Sequence, residues 1–148
     1  MAIKITGTGS YIPDLIEKNE DFHQHNFLNA DGTYDWTKQE GQVWFAQAAK
    51  ARGVDKLLLF SNSPSVYHTK NGKAYALDGI PNLEESNFEN FAKYLASIIE
   101  GINGLGLSVD YISPVNEPQW DWSEKDNGKA SQEGTPFFND DIAKITKI

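Results

Sequence analysis

The chain has no cysteine among its 148 residues, which excludes a disulfide framework and thiolate chemistry. It is also short of positive charge. Thirteen Lys and Arg stand against 21 Asp and Glu, for a formal net charge of -8. No basic stripe is available to neutralise phosphates, so nucleic acid is not an expected partner, and an anionic membrane surface is equally disfavoured. No apolar run approaches the length needed to cross a bilayer. The opening Met1-Ala2-Ile3-Lys4-Ile5-Thr6-Gly7 has neither a long apolar stretch nor a small-residue cleavage site, so no signal peptide is expected in it. There is no low-complexity segment and no linker. The one metal-like spacing, His23-x-His25, has no clear third ligand near it and reads as surface histidines. Neither a metal nor a cofactor is expected.

What the chain does have is aromatic side chains in polar surroundings. Four Trp, six Tyr and eight Phe make up 12% of the residues, and many fall in segments where core packing does not call for them. The length suits one core and is too short for two ordinary domains.

Strand and helix signals alternate. Ile3 to Thr6 is a short strand candidate, and residues 7–36 are broken by Gly, Pro and Asn. Thr37 with Glu40 forms a capping-box pattern, and the helix it opens runs through Val43, Trp44, Ala46 and Ala49 to Gly53. Trp36 and Trp44 are expected in the core. Lys56 to Ser61 is a continuous apolar run, the pattern of a strand covered on both faces. Ser86 with Glu89 predicts a second cap. Behind it Phe88, Phe91, Ala92, Leu95, Ile98 and Ile99 share one helical face, which Asn103-Gly104 ends. A strand is predicted over Val109 to Val115, and Asn139 or Asp140 is placed to cap a last helix. This alternation implies an α/β chain of parallel βα units.

The connections are asymmetric. The loops after strands, 62–82 and 118–138, are long and aromatic, whereas Gly53-Val54-Asp55 and Asn103 to Ser108 are short. In α/β barrels the loops after strands build the active site. The expected functional face therefore bears Asn62, Tyr67, Asn116, Glu117, Trp120 and Trp122. Within it, Asn116-Glu117-Pro118 closes an apolar strand and Gln119-Trp120-Asp121-Trp122 follows directly. A carboxyl on a strand end beside flat indole faces is how a sugar-cleaving enzyme presents a general acid. The triplet alone is a weak signal; its surroundings carry the inference. Other roles stay open: Asn116 and Asn62 as loop caps, Trp120 and Trp122 as packing residues, Glu133 as a second carboxylate.

Several motifs in order carry a resemblance. Ser61-Asn62-Ser63-Pro64, Thr69-Lys70-Asn71-Gly72, Ser113-Pro114-Val115-Asn116-Glu117-Pro118-Gln119-Trp120 and Gln132-Glu133-Gly134-Thr135-Pro136, followed by Asn139, resemble glycoside hydrolase family thirty, in particular its endo-β-1,6-galactanase-like members. The resemblance runs from about Gly7 to Ile142. It implies a (β/α)₈ barrel, of which this chain resembles units two to four, so that residues 1–148 form part of a catalytic domain. It implies that Glu117 is the acid/base at the end of barrel strand four and that Asn116 holds the sugar's 2-hydroxyl. It implies a retaining mechanism on a β-linked polysaccharide, β-1,6-galactan or xylan-like, and a secreted or periplasmic setting. Two departures stand out. The family usually shows Pro-Pro, an aromatic and Met after the third strand, where Pro64 is here followed by Ser65, Val66, Tyr67 and His68. A full barrel also needs about 250 residues, and the family's nucleophilic Glu has no counterpart in this chain.

The expectation is thus a fragment that carries the acid/base, lacks the nucleophile and is inactive alone. Its fold is expected to have three parallel strands, with the Thr37 and Ser86 helices on one side and open sheet edges that favour self-association. A non-catalytic carbohydrate-binding or structural remnant is the alternative.

Overall fold

The computed structural model of the chain describes residues 26–124, 130 and 132–148. The strand expected at Ile3 to Thr6 and the pair His23-x-His25 lie outside the described residues. Among those described, five elements follow in order: helix α1 (Glu40–Ala51), strand β1 (Leu58–Phe60), helix α2 (Phe88–Gly104), strand β2 (Tyr111–Ser113) and helix α3 (Asn139–Ile145). A short 3₁₀ turn, Glu85–Asn87, leads into α2.

β1 and β2 are parallel, with Leu58, Leu59 and Phe60 opposite Tyr111, Ile112 and Ser113. Both strands are shorter than their apolar runs. The Val109 amide is taken by Asn103 Oδ1 at 3.0 Å, and Pro114 has no amide to continue the ladder. The entrance to the pair is held by Asp110, which accepts from Lys56 Nζ at 2.9 Å and from the Leu57 amide at 3.0 Å. The Leu57 amide and Lys56 together hold the Asp110 carboxyl below the usual range.

α2 is the element everything packs on. Phe88, Phe91, Leu95, Ile98 and Ile102 are buried, one stripe with helical spacing. Its first half joins Leu83, Phe137 and Ile145 of α3 in one cluster. Its second half joins Phe27 and Leu107, covered by Val43 and Ala46 of α1 and by Leu57 and Leu59 at β1. Both long helices thus lie on the same side of the sheet. The outer edge of the Trp36 indole meets α2 at Gly101, where a Cβ would run into it, and the ring stacks on Tyr34 with ring centroids 5.3 Å apart.

Several local expectations are corrected. The Thr37 hydroxyl and amide both donate to Asp35 Oδ1, at 2.6 and 3.0 Å, so Thr37 is spent on a turn. Gln39 adopts a left-handed φ of 60°, and α1 starts only at Glu40 with no side-chain cap. Ser86 sits inside the 3₁₀ turn, and Glu89 pairs with Lys93 one turn on at 2.8 Å instead of capping. At α3 the cap is Phe138, whose amide donates to Asp141 Oδ2 at 3.1 Å. Trp44 is not core: it is 65% exposed, because α1 turns only Val43 and Ala46 inward. Nor is β1 covered twice. Leu59 faces the helices, while Leu58 and Phe60 are exposed on the other face, since the described residues supply a helix layer on one side only.

This division predicts a sharp contrast in stability. Phe91→Ala empties a fully buried site at the centre of the first cluster and should cost about 3–5 kcal/mol in urea unfolding. Trp44→Ala should change it by no more than about 0.5 kcal/mol. Similar losses for both would contradict this packing.

Candidate active site

The loops that follow β1 and β2 are held to each other. Ala76 donates its amide to the Trp122 carbonyl at 3.2 Å, and its own carbonyl accepts from the Glu124 amide at 3.3 Å. The Gly134 amide donates to the Ala74 carbonyl at 2.8 Å. Asn82, buried, donates from its side chain to Asn71 Oδ1, to the Lys73 carbonyl and to the Tyr75 carbonyl. Its backbone amide donates to Thr135 Oγ1 at 2.8 Å, which ties the first loop to the second.

Glu117 opens the second loop, four residues beyond the end of β2. Its φ of 41° is left-handed, a conformation that a side chain bearing a Cβ adopts at a cost of roughly 1–2 kcal/mol. Two donors hold its carbonyl: the Trp120 amide at 2.9 Å and the Trp122 indole N–H at 3.1 Å. The Phe137 amide fixes the next carbonyl, that of Pro118, at 2.9 Å. The residue itself is exposed, and no hydrogen bond or ion pair to its carboxyl is found among the described residues. Asn116 is half-buried directly before it.

The two indoles part company. Trp120 is 61% exposed, three residues beyond Glu117 and tied to it through its backbone amide. Trp122 is 5% exposed, packed over Gly134 where a Cβ would strike its ring, so it offers too little surface to stack a sugar. Asn62, after β1, does not stand alone: its Nδ2 donates to Glu133 Oε1 at 2.9 Å across the two loops. This occupied carboxyl is a pairing that sequence spacing could not have revealed, since 71 residues separate the partners. Tyr67 is exposed and lines an open groove of about 290 Å³ with Tyr34, His68, Lys93 and Tyr94. Glu117 is not among the residues that line that groove.

Known proteins share this fold. The chain superposes with a TM-score of 0.73 on a conserved exported protein from Bacteroides fragilis, at 35% identity over 82% of this chain and 24% of that one. It superposes with a TM-score of 0.63 on a glycoside hydrolase family 30 subfamily 8 xylanase from Clostridium acetobutylicum, at 18% identity over 89% of this chain and 29% of that one. The second likeness concerns fold alone and implies a TIM-barrel-like fold, with which the two-stranded parallel sheet is compatible. The family model for O-glycosyl hydrolase family 30 matches residues 4–148, and the chain belongs to that family. A curated relative, an endo-β-1,6-galactanase from Hypocrea rufa, is 28% identical over 117 residues, 78% of this chain. The chain spans about a quarter of that relative's length, 24%.

One titratable group beside the groove gives a testable pH effect. His68 meets Tyr94 edge-on, ring centroids 5.8 Å apart, and its Nδ1 is buried with no hydrogen-bond partner. Burial holds the imidazole pKa below its ordinary value. Burial also pushes the Tyr94 hydroxyl up to about 12, with Tyr34 and Glu133 adding to the effect. A depressed histidine pKa means that the unfolded chain binds the proton first. The stability contribution is full above about pH 6.5 and is lost as the pH falls through the lower folded value. Urea midpoints taken at pH 7.5 and 5.5 should therefore fall further for the wild type than for His68→Gln. Equal falls would show that His68 titrates as if exposed.

Proposed function

We propose that this chain carries the acid/base, Glu117, of a retaining β-glycoside hydrolase acting on a β-linked polysaccharide, β-1,6-galactan or xylan-like. The observation that carries the reading is the presentation of Glu117: an exposed residue on a turn fixed through its own carbonyl, with the exposed Trp120 three residues on. Membership of O-glycosyl hydrolase family 30 and likeness to an endo-β-1,6-galactanase support the substrate class.

In this mechanism Glu117 donates a proton to the glycosidic oxygen while a second carboxylate attacks the anomeric carbon. Glu117, now a carboxylate, then takes a proton from the water that releases the sugar. Asn116 is the residue placed to contact the 2-hydroxyl, and Trp120 the platform for a neighbouring sugar. Asn62, oriented by Glu133, and Tyr67 are contributed by the loop after β1. The nucleophile is proposed to lie outside this chain, and the chain alone to be inactive. The exposed Leu58, Phe60 and Tyr111 on the uncovered sheet face make self-association the expected state of the isolated chain. Light scattering should give a mass above that of the monomer, and a strict monomer at high concentration would contradict this.

Glu117→Gln in the full-length enzyme separates acid catalysis from binding. Cleavage of β-1,6-galactan should fall about a hundred- to ten-thousand-fold. Formation of the glycosyl-enzyme from an aryl β-glycoside with an acidic phenol should stay near the wild-type rate, because that group leaves without a proton. Asn116→Ala should slow both substrates, since its contact strengthens in both transition states. Equal slowing of both substrates by Glu117→Gln would remove Glu117 from this role. Tight binding of β-1,6-galacto-oligosaccharides with no turnover by the full-length protein would favour a carbohydrate-binding remnant instead.

A further inference from the structure

We propose that Trp122 is a positioning residue for Glu117, acting through its indole N–H on the Glu117 carbonyl and not through contact with sugar. The inference rests on the reading of Glu117 as the acid/base. Sequence pattern makes Trp122 look like the second of two sugar platforms, yet it is buried while Trp120 is open. Its Nε1 reaches the Glu117 carbonyl at 3.1 Å, five residues back along the chain. That carbonyl belongs to a residue with a φ of 41°. A left-handed conformation at a non-glycine residue persists only where the surroundings over-determine it. The surroundings here are the indole and the Trp120 amide.

The indole is itself gripped. The Trp122 carbonyl accepts from Ala76, and the ring fills a slot over Gly134 that any side chain there would close. Gly134 is in turn bonded to Ala74. The loop after β1 therefore sets the height of the indole, and the indole sets the turn that aims the carboxyl. Gly134 is required by this arrangement because of the ring lying on it.

The test compares leaving groups in the full-length enzyme. Trp122→Phe keeps a ring in the slot and removes the N–H. It should slow cleavage of β-1,6-galactan about tenfold or more, while glycosyl-enzyme formation from an aryl β-glycoside with an acidic phenol changes less than about twofold. Gly134→Ala, which displaces the ring from a different segment, should reproduce the same split. Slowing of both substrates alike by Trp122→Phe, or of neither, would overturn the proposal. The Glu117→Gln control keeps the two claims apart. If that variant shows no leaving-group split, the acid/base reading fails; if it does and Trp122→Phe does not, only the positioning role fails. Should both Trp122 and Gly134 variants fail to fold, hydrogen exchange on the wild-type chain still decides. The Trp122 indole proton should exchange far more slowly than that of Trp120, and equal rates would overturn the proposal.

Discussion

The structure depends on the backbone hydrogen bonds that join the stretch Ala74 to Ala76 to Trp122, Glu124 and Gly134. The strands themselves are only three residues each, too short to orient long loops. Order in the loops has to come from the loops. Asn82 supplies much of it: a buried amide whose two N–H groups find three acceptors and whose backbone amide reaches Thr135. Buried polar groups of this kind cost stability unless satisfied, and when satisfied they specify one arrangement.

That order is what reaches the site. Glu117 lies at the start of the second loop with its carbonyl held from two directions, and the carboxyl is left facing solvent. Asn62 and Glu133 add a side-chain link between the same two loops. Rigid backbone with a free functional group is the arrangement that proton transfer in a transition state needs, because the gain depends on placement as well as acidity. α2 serves this from behind. Its first turns bury Phe88 and Phe91 against Phe137, a few residues beyond Gly134.

Much of this was legible in the residues. The stripe Phe88, Phe91, Leu95 and Ile98 marks α2, because apolar residues three and four apart form one continuous face only when the chain is helical. Parallel pairing of Leu58–Phe60 with Tyr111–Ser113 followed from apolar runs separated by a helix. The family was legible from ordered motifs around Asn62, Asn116 and Glu133. Caps were not, because Thr37 has a closer partner in Asp35 than the first turn of α1. The one-sided cover of β1 was not legible either, since an apolar run records what a strand needs and not which part of the fold provides it. Trp120 and Trp122 look equivalent two residues apart. Only the bridge between Ala76 and Ser123 decides which ring is turned inward.

The proposed role of Glu117 as acid/base is tested most directly by Glu117→Ala in the full-length enzyme, given an activated aryl β-glycoside and azide. With the carboxyl gone, water is no longer activated at the glycosyl-enzyme, and azide, which needs no base, takes its place. The expected result is rate recovery with azide and a β-glycosyl azide, identified by its anomeric proton coupling in the NMR spectrum. Hydrolysis at the wild-type rate, with no azide adduct and no response to azide, would contradict the assignment.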